Sequence, residues 1–455
     1  MNLSVVILAA GKGTRMRSAL PKVLQPLAGR PLLAHVLDTA RRLQPAAIHV
    51  VYGHGAERVR QACDADDLNW VLQAEQNGTG HAVMQAMPQI PAGHTVLILC
   101  GDVPLVRASV LADLAAASGG EQLAVLTACL DDATGYGRVV RDDAGHVIAI
   151  VEERDATDDQ RAIHEINTGL MACPAGLLNG WLSQIDDDNA QGEYYLTDIV
   201  GLAVADHRPV VAVAAGAADE VLGINDRRQL AHSEALLRRR TTNELLDQGV
   251  TLVDPARVDI RGRLICGQDV HIDVNTVFSG DVELGDNVEI GPNTIIRDSV
   301  IAADTRVLPN SLIEQATVGK ACEIGPYARL RPAAELAEGA KVGNFVEVKK
   351  SHIGRRSKVN HLTYIGDATI GDEVNVGAGT ITCNYDGANK HRTVIGDGAF
   401  IGSGVELVAP VEIGAGATVG AGSTISKPAP AEQLTLERAR QVTIEGWTRP
   451  VKKGK

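Results

Sequence analysis

The 455-residue sequence predicts two architectures in one chain: an α/β domain on a mostly parallel sheet and, after a helical join, a parallel β-helix. Three observations carry this expectation. From about Ile260 to Ile425 an aliphatic or small apolar residue returns at nearly every sixth position, as in the run Ile260, Cys266, Ile272, Phe278, Leu284, Ile290 and Ile296. Neither a helix of period 3.6 nor a strand of period 2 generates this spacing, whereas hexads of one short strand plus one corner do. Ahead of this repeat, apolar strand-like runs alternate with helical stretches, the pattern of a sheet covered by helices on both faces. Between the two, residues 227–248 are charged, contain Leu and lack Gly and Pro, which reads as one connecting helix ended by Gly249.

Length and composition narrow the class. The chain divides into 1–226, a linker helix over 227–248, and a second domain with a C-terminal tail over 249–455; each domain is large enough for its own core. A net charge of −13 argues against a nucleic-acid binder and leaves room only for local basic pockets. Seven Cys are scattered without a C-x-x-C pair, so neither a zinc ribbon nor a disulfide framework is indicated, and a reducing compartment fits. The apolar start, Leu3 to Ala10, has no basic residue ahead of it and is far shorter than the roughly 20 residues that span a bilayer. It reads as a buried strand of a cytoplasmic protein without a membrane partner. Aromatic residues make up only 3%, which suits a solenoid filled by Ile and Val. A β-sandwich would not hold one register over this length.

In the first half the apolar start runs into Gly11-Lys12-Gly13-Thr14-Arg15-Met16 and Pro21-Lys22, and a helical pattern follows from Pro31 to Leu43. Further strands are expected at 47–52, 70–73, 95–100 and 122–129, alternating with helical patterns at 55–63, 79–87 and 107–117. Ligands of such sheets bind beyond the carboxyl ends of the strands, where the glycine loop lies. The loop lacks Walker A spacing, and Met16 stands where a dinucleotide fingerprint has its third glycine. Its glycines, Thr14 and the cations Arg15 and Lys22 still offer free N–H groups and positive charge, which a triphosphate requires. Asp102 follows the apolar run Val96-Leu97-Ile98-Leu99 at another strand end, either as a turn former or as a ligand.

The pattern Leu8-x-x-Gly11-x-Gly13-Thr14-Arg15-Met16-x4-Pro21-Lys22 resembles the signature of sugar-1-phosphate nucleotidyltransferases, whose domain is Rossmann-like. The resemblance implies that Leu8, Ala9, Ala10, Gly11 and Lys22 wrap the phosphates of UTP. Arg15 and Lys22 would then offset the charge that builds at the α-phosphorus. It places Gln73, Gly78 and Thr79 on uracil and assigns the sugar to Gly137, Glu152, Asn167, Glu193 and Tyr195. Asp102 and Asn225 match the magnesium site, and Mg²⁺ suits so few protein oxygens because water and phosphate complete its shell. Cys100 stands where close relatives carry Tyr, so any contact from that phenol is absent.

Within the repeat, the residue two before the inward aliphatic is often small or β-branched, and Gly commonly follows it, as at Gly343 and Gly377. A tight turn gains there from a residue without Cβ. Three hexads make one coil, so Arg331 and Lys349, each directly after an inward aliphatic, fall in adjacent coils about 4.8 Å apart. Cations stacked so closely imply an anion between them, unless both are simply solvated. His361 falls two residues after Val359, at a corner outside the prism, and the period breaks over 384–392, as in loops that build a binding face.

These segments resemble the acetyltransferase half of the bacterial bifunctional N-acetylglucosamine-1-phosphate uridyltransferases/glucosamine-1-phosphate acetyltransferases, and the likeness covers essentially the whole chain, from Leu8 to Trp447. It implies a left-handed β-helix and a homotrimer whose acetyl-transfer sites draw on neighbouring subunits. His361 would be the general base for the sugar amine. Arg331 and Lys349 would hold the sugar phosphate, and Tyr364, Asn375 and Lys390 would position the sugar. Ala378, Asn384, Tyr385, Ser403, Ala421 and Arg438 match acetyl-CoA contacts, although Glu437 replaces a small polar residue of the family. The implied reactions are acetylation of glucosamine-1-phosphate by acetyl-CoA, then transfer of UMP from UTP to N-acetylglucosamine-1-phosphate with release of pyrophosphate. Two rivals are a single-function nucleotidyltransferase with a structural or regulatory β-helix, and a binding scaffold that has lost catalysis. A solenoid without the His361 corner and the 384–392 loop would favour the first; loss of Arg15, Lys22 or Asp102 would favour the second.

Overall fold

The computed structural model describes residues 2–11, 13–53 and 56–452. Lys12 of the glycine loop, Gly55 at an expected helix start, and residues 453–455 of the tail lie outside the described residues. The chain forms two compact units, Met1–Leu237 and Arg238–Lys455.

The first unit is organised on the strand Leu3–Ala9, which carries no charged side chain. Both of its faces are covered, as such a run requires: Val5 and Ile7 cluster with Leu33 and Val36 of helix Leu32–Arg41, and Val6 with Val83 and Ala86 of helix Thr79–Ala86. It pairs in parallel with Ala47–Tyr52 on one side and Thr95–Cys100 on the other, and Leu68–Leu72 extends the first edge. With its neighbours reached in opposite directions, the strand order reverses here and a crevice opens at the carboxyl ends. The remaining half departs from a parallel sheet. Glu165–Pro174 runs antiparallel between Thr95–Cys100 and Leu123–Cys129 and pairs with Arg138–Arg141, which forms a hairpin with Val147–Val151. Alternation of strands and helices signals crossovers but not the direction of a strand inserted later in the chain.

In the second unit the hexads stack as three ladders of parallel strands. Ile272, Ile290, Val307, Ile324, Val342, Val359, Val376, Ile401 and Val419 lie in register along one sheet, each 2% exposed or less. A second ladder runs Ile296, Ile313, Leu330, Val348, Ile365, and a third Ile301, Val318, Leu336, Ile353, Ile370, Ile395, Ile413. The five-residue steps Ile296–Ile301, Ile313–Val318, Val348–Ile353 and Ile365–Ile370 all cross the same corner, so the irregular spacing is one systematically short turn.

Apart from Gly325 (φ 98°), the glycines after the inward aliphatics have a different cause from the expected one. Gly343 and Gly377 do not adopt a positive φ; a Cβ on Gly377 would stand 2.6 Å from the Gly402 carbonyl carbon, and one on Gly343 2.7 Å from that of Asn360. The approach of the next coil excludes a side chain. Left-handed backbone occurs two residues later, at Asn293 (φ 59°), Asn310 (φ 62°), Tyr327 (φ 56°) and Phe345 (φ 56°). The break in period is a hairpin bridged by Tyr385 and Lys390, inside which the Asp386 carboxylate accepts from the amides of Ala388 (2.8 Å) and Asn389 (2.6 Å).

A helix spans Arg227–Asp247, and Gly249 follows at φ 90°. It is more than a spacer. Leu230, Leu236 and Leu237 pack with Met16, Leu27 and Leu32, whereas Leu245 joins the β-helix core, so the division between units falls inside it. All seven Cys are free, and no helix among the described residues is long and apolar enough to cross a membrane.

Candidate functional site

In the first unit the site assembles at the carboxyl ends of Leu3–Ala9 and Thr95–Cys100. The loop after the first strand turns through Gly13 (φ 59°), where any Cβ would also run into the Lys22 side chain. A short turn, Thr14–Met16, buries Met16 and leaves Arg15 exposed. Lys22 makes a direct ion pair with Asp102, both side chains less than one-fifth exposed, and donates to the Asn225 amide oxygen at 3.1 Å. Arg15 donates to the same oxygen at 3.0 Å. Four of the expected residues, from three distant parts of the chain, therefore meet at one point. Asn225 is held there from outside: its N–H donates to Gln229 Oε1 at 2.6 Å, and the N–H of Ile224 donates to the Asp102 carbonyl at 2.9 Å.

A cleft of about 360 Å³ opens beside these groups, lined by Leu8, Ala10, Gly11, Lys22, Gln73, Gly78, Thr79, Asp102 and Glu193 together with Val23, Gln76, Ala82 and Cys100. Ala9 is the exception in its segment, since its side chain belongs to the core and only its backbone is left for a ligand. Burial, with Asp102 adding, pushes the Cys100 thiol up to about 12, and its sulfur faces the Gly169 carbonyl at 3.7 Å.

Gly137, Glu152 and Asn167 form a neighbouring group. The Asn167 N–H donates to the Gly137 carbonyl at 2.8 Å, and a Cβ on Gly137 would lie 3.4 Å from either Glu152 carboxylate oxygen. Burial raises the Glu152 carboxyl, against a hydrogen bond from Thr197 Oγ1 at 3.2 Å. Tyr195 does not line the cleft. It is 7% exposed, and its hydroxyl accepts from Gln191 Nε2 at 2.9 Å and donates to Asp155 at 3.3 Å.

In the second unit the register aligns Arg331 with Lys349 through the pair Leu330 and Val348. The expected anion is partly supplied by the protein: Arg331 Nη1 donates to Glu347 at 2.8 Å. Lys349 makes no ion pair among the described residues. The neighbouring Lys390 ammonium, reinforced by Arg331, holds the pKa of Lys349 below the ordinary lysine value. Asp367, the nearest compensating carboxylate, accepts from the Asn384 amide at 2.6 Å. The Tyr364 hydroxyl lies over Gly366 beside that amide. Arg331, Lys349, Tyr364, Asn384 and Lys390 thus gather on one face with surplus positive charge.

His361 stands on the adjoining corner, exposed, with Nδ1 2.7 Å from Asn344 Oδ1 one coil below. The registered pairs Val359–Val376, Val376–Ile401 and Ile401–Val419 place Ala378, Ser403 and Ala421 successively above it. Backbone bonds follow the same column: Gly379 N–H to His361 at 3.1 Å, Gly404 N–H to Ala378 at 2.8 Å and Gly422 N–H to Ser403 at 2.8 Å. Over the three coils above the imidazole small side chains occupy this edge, which leaves room for an extended ligand, before Glu437 follows in register above Ala421. Asn375 lies on the face before this corner, Tyr385 in the hairpin, and exposed Arg438 near Gly422.

Residues 5–172 match the MobA-like NTP transferase domain, 260–344 the GMPPB C-terminal domain, and 392–427 the bacterial transferase hexapeptide (six repeats). The chain is 58% identical to the bifunctional protein GlmU of Azoarcus sp. (strain BH72), over 99% of this chain and 100% of that one. The chain belongs to the GlmU family. The GlmU of Ralstonia pickettii (strain 12J) is 56% identical over 100% of both chains. As a member of the GlmU family it is a two-activity transferase, a uridyltransferase joined to an acetyltransferase, and the single-function alternative is not favoured. Among the residues beside these groups that escaped the sequence reading are Gln76 and Asn344. Gln76, whose amide donates to the Ala10 carbonyl, lies three positions after Gln73 and shares the cleft. Asn344 is one coil before His361, a relation that counting the register through Val342 and Val359 would have exposed.

Proposed function

We propose that the second unit acetylates glucosamine-1-phosphate from acetyl-CoA and that the first transfers UMP from UTP to the resulting N-acetylglucosamine-1-phosphate, releasing pyrophosphate. The observation that carries the reading is the pairing, in one chain, of the Arg15–Lys22–Asp102–Asn225 convergence with a cationic face beside the His361 corner.

In the first unit Arg15 and Lys22 neutralise the phosphates, and the buried lining of the cleft strengthens that attraction. The Asp102 carboxylate and the Asn225 amide oxygen both face the Lys22 ammonium, so two oxygen donors already converge on one cation position. A magnesium ion fits this pair, and when bound it supplies further neutralisation of the phosphate charge. Gln73, Gly78 and Thr79 take the base. Gly137, Glu152, Asn167 and Glu193 take the sugar, with Tyr195 supporting that wall from behind.

In the second unit the cationic face holds the sugar phosphate. Because Asn344 Oδ1 only accepts, His361 Nδ1 carries the hydrogen and Nε2 keeps its lone pair. Nε2 takes the proton from the sugar amine as that nitrogen attacks the thioester carbonyl; an amide forms and the coenzyme thiol leaves. Tyr364, Asn375 and Lys390 orient the sugar, and the column of Ala378, Ser403 and Ala421, with Asn384, Tyr385 and Arg438, seats the coenzyme. A convex edge encloses little by itself, which supports a homotrimer in which neighbouring copies complete the pocket. The free thiols are consistent with a cytoplasmic protein.

His361→Ala tests the two-site reading. Acetyl transfer should fall by about 10²- to 10⁴-fold while uridylyl transfer is unchanged. Acetyl transfer near the wild-type rate would remove His361 as the base, and a parallel collapse of uridylyl transfer would refute the separation of sites.

A further inference from the structure

We propose that His81 is a positioning residue that makes the first site select uracil over cytosine by holding the Gln73 amide in one orientation, an inference that rests on the reading of Gln73 as the base contact. Gln73 lies directly after strand Leu68–Leu72, where its backbone N–H donates to the Tyr52 carbonyl at 2.8 Å. It is 2% exposed yet lines the cleft. Its amide nitrogen donates to the Gly78 carbonyl at 3.1 Å and lies 3.1 Å from His81 Nδ1.

Those two contacts settle the amide. A backbone carbonyl only accepts, so the group facing Gly78 is the NH₂ and not the oxygen. The second hydrogen of the NH₂ then points to Nδ1, which must present a lone pair. Both hydrogens are consumed by the protein, and the amide oxygen, which takes no hydrogen bond among the described residues, is what remains for a ligand in the cleft. A lone acceptor reads an N–H. Uracil offers one at N3, whereas cytosine has a lone pair there, so acceptor would meet acceptor.

His81 is itself braced. It sits in helix Thr79–Ala86, with the Tyr194 ring tilted beside it at 6.2 Å between centroids and the Gln85 amide group 3.2 Å from Nε2; with the one lone pair of the neutral ring on Nδ1, Nε2 carries the hydrogen, and the amide oxygen of Gln85 has to turn to accept it in place of the NH₂. His81 is not among the residues that line the cleft, whereas Gln73 is, so the imidazole acts through Gln73. Without its lone pair, one hydrogen of the NH₂ loses its partner, and the amide gains a reason to turn that hydrogen toward the cleft, where it would welcome the cytosine N3.

The test compares kcat/KM for UTP and for CTP in the full-length protein, with acetyl transfer by the same preparations as the folding control. In His81→Phe, which keeps a flat ring but has no acceptor, the UTP-to-CTP preference should fall on the order of 10- to 100-fold. In His81→Asn, whose amide oxygen can replace Nδ1 as acceptor, the preference should stay within about threefold of wild type. An unchanged preference in His81→Phe overturns the proposal, and so does an equal loss in both variants, which would mean that ring shape and not the acceptor matters. If His81→Phe fails to fold, His81→Ala replaces it with the same expectation. Gln73→Ala separates the two levels of inference: if it leaves UTP utilisation intact, the base-contact reading itself fails, whereas a strong loss there with no effect of His81 sinks only the positioning role.

Discussion

Asn344 is the group whose role in acetyl transfer can be isolated most cleanly, because it touches His361, the proposed general base, and is not itself placed against substrate. Asn344→Ala removes the 2.7 Å contact to His361 Nδ1 and leaves the ring, the cationic face and the small-residue column in place. His361 is exposed, so water takes over the lost bond, and the net cost is that of an ordinary hydrogen bond, about 0.5–1.5 kcal/mol. At about 1.4 kcal/mol per decade this predicts a loss of roughly 3- to 10-fold in kcat for acetyl transfer. That is far below the loss of about 10²- to 10⁴-fold expected from deleting the base. Asn344→Asp keeps an acceptor at the same place and should stay close to wild type. The assay is release of coenzyme thiol from acetyl-CoA, with uridylyl transfer as the control for folding. A loss in Asn344→Ala as deep as in His361→Ala would make Asn344 a direct participant. No loss at all would show that the contact does not orient the imidazole.

Gly343→Ala should destabilise the second unit by about 1–3 kcal/mol, because the new Cβ meets Asn360 backbone atoms at 2.7 and 2.9 Å, whereas Gly93→Ala, with nothing within 4 Å, should be near neutral. Denaturant unfolding compares them, and equal stabilities would contradict the close-approach account. Asp198→Asn should stabilise the first unit at pH 8 and not at pH 4. Burial, then Asp186 and Asp155, push the Asp198 carboxyl from its ordinary 3.8 up to about 6, so the folded state binds this proton more tightly than the unfolded state, and stability is lost as pH rises from about 4 to about 6. Its half-exposure and its place at the start of helix Asp198–Ala205 both moderate the cost, so a gain of about 1–2 kcal/mol is expected above that window. A gain that does not change with pH would refute the assignment.

Much of the site was legible because its residues are tied to features that a linear sequence displays. Arg15, Lys22 and Asp102 follow apolar strands or glycine turns, and the crevice at the carboxyl ends is where parallel strands must leave a ligand room. Arg331, Lys349 and His361 could be placed from a repeat whose register is a matter of counting. Other features had no such marker. The antiparallel course of Glu165–Pro174 depends on which edge is open when that strand arrives. Glu347 was not recognised as the partner of Arg331, because that contact crosses between coils and depends on side-chain direction; counting the register puts Asn344 beside His361, but not the hydrogen bond between them. Tyr195 matches a sugar-binding position only by resemblance, and packing turns its hydroxyl to Asp155 and Gln191.

The sequence by itself determined the two architectures, the helix between them and the face on which each cation and the histidine lie, since period, charge and glycine spacing follow directly from backbone geometry. Only the tertiary structure decided which groups touch. It drew Arg15, Lys22, Asp102 and Asn225 to one point, set Lys349 against Lys390 with Arg331 adding to the repulsion, set the Gln73 amide between Gly78 and His81, and divided the linking helix between two cores. The physical reason is range. Periodicity is written in neighbours along the chain, whereas hydrogen bonds and ion pairs are selected by whichever groups the packing of distant segments brings within about 3 Å.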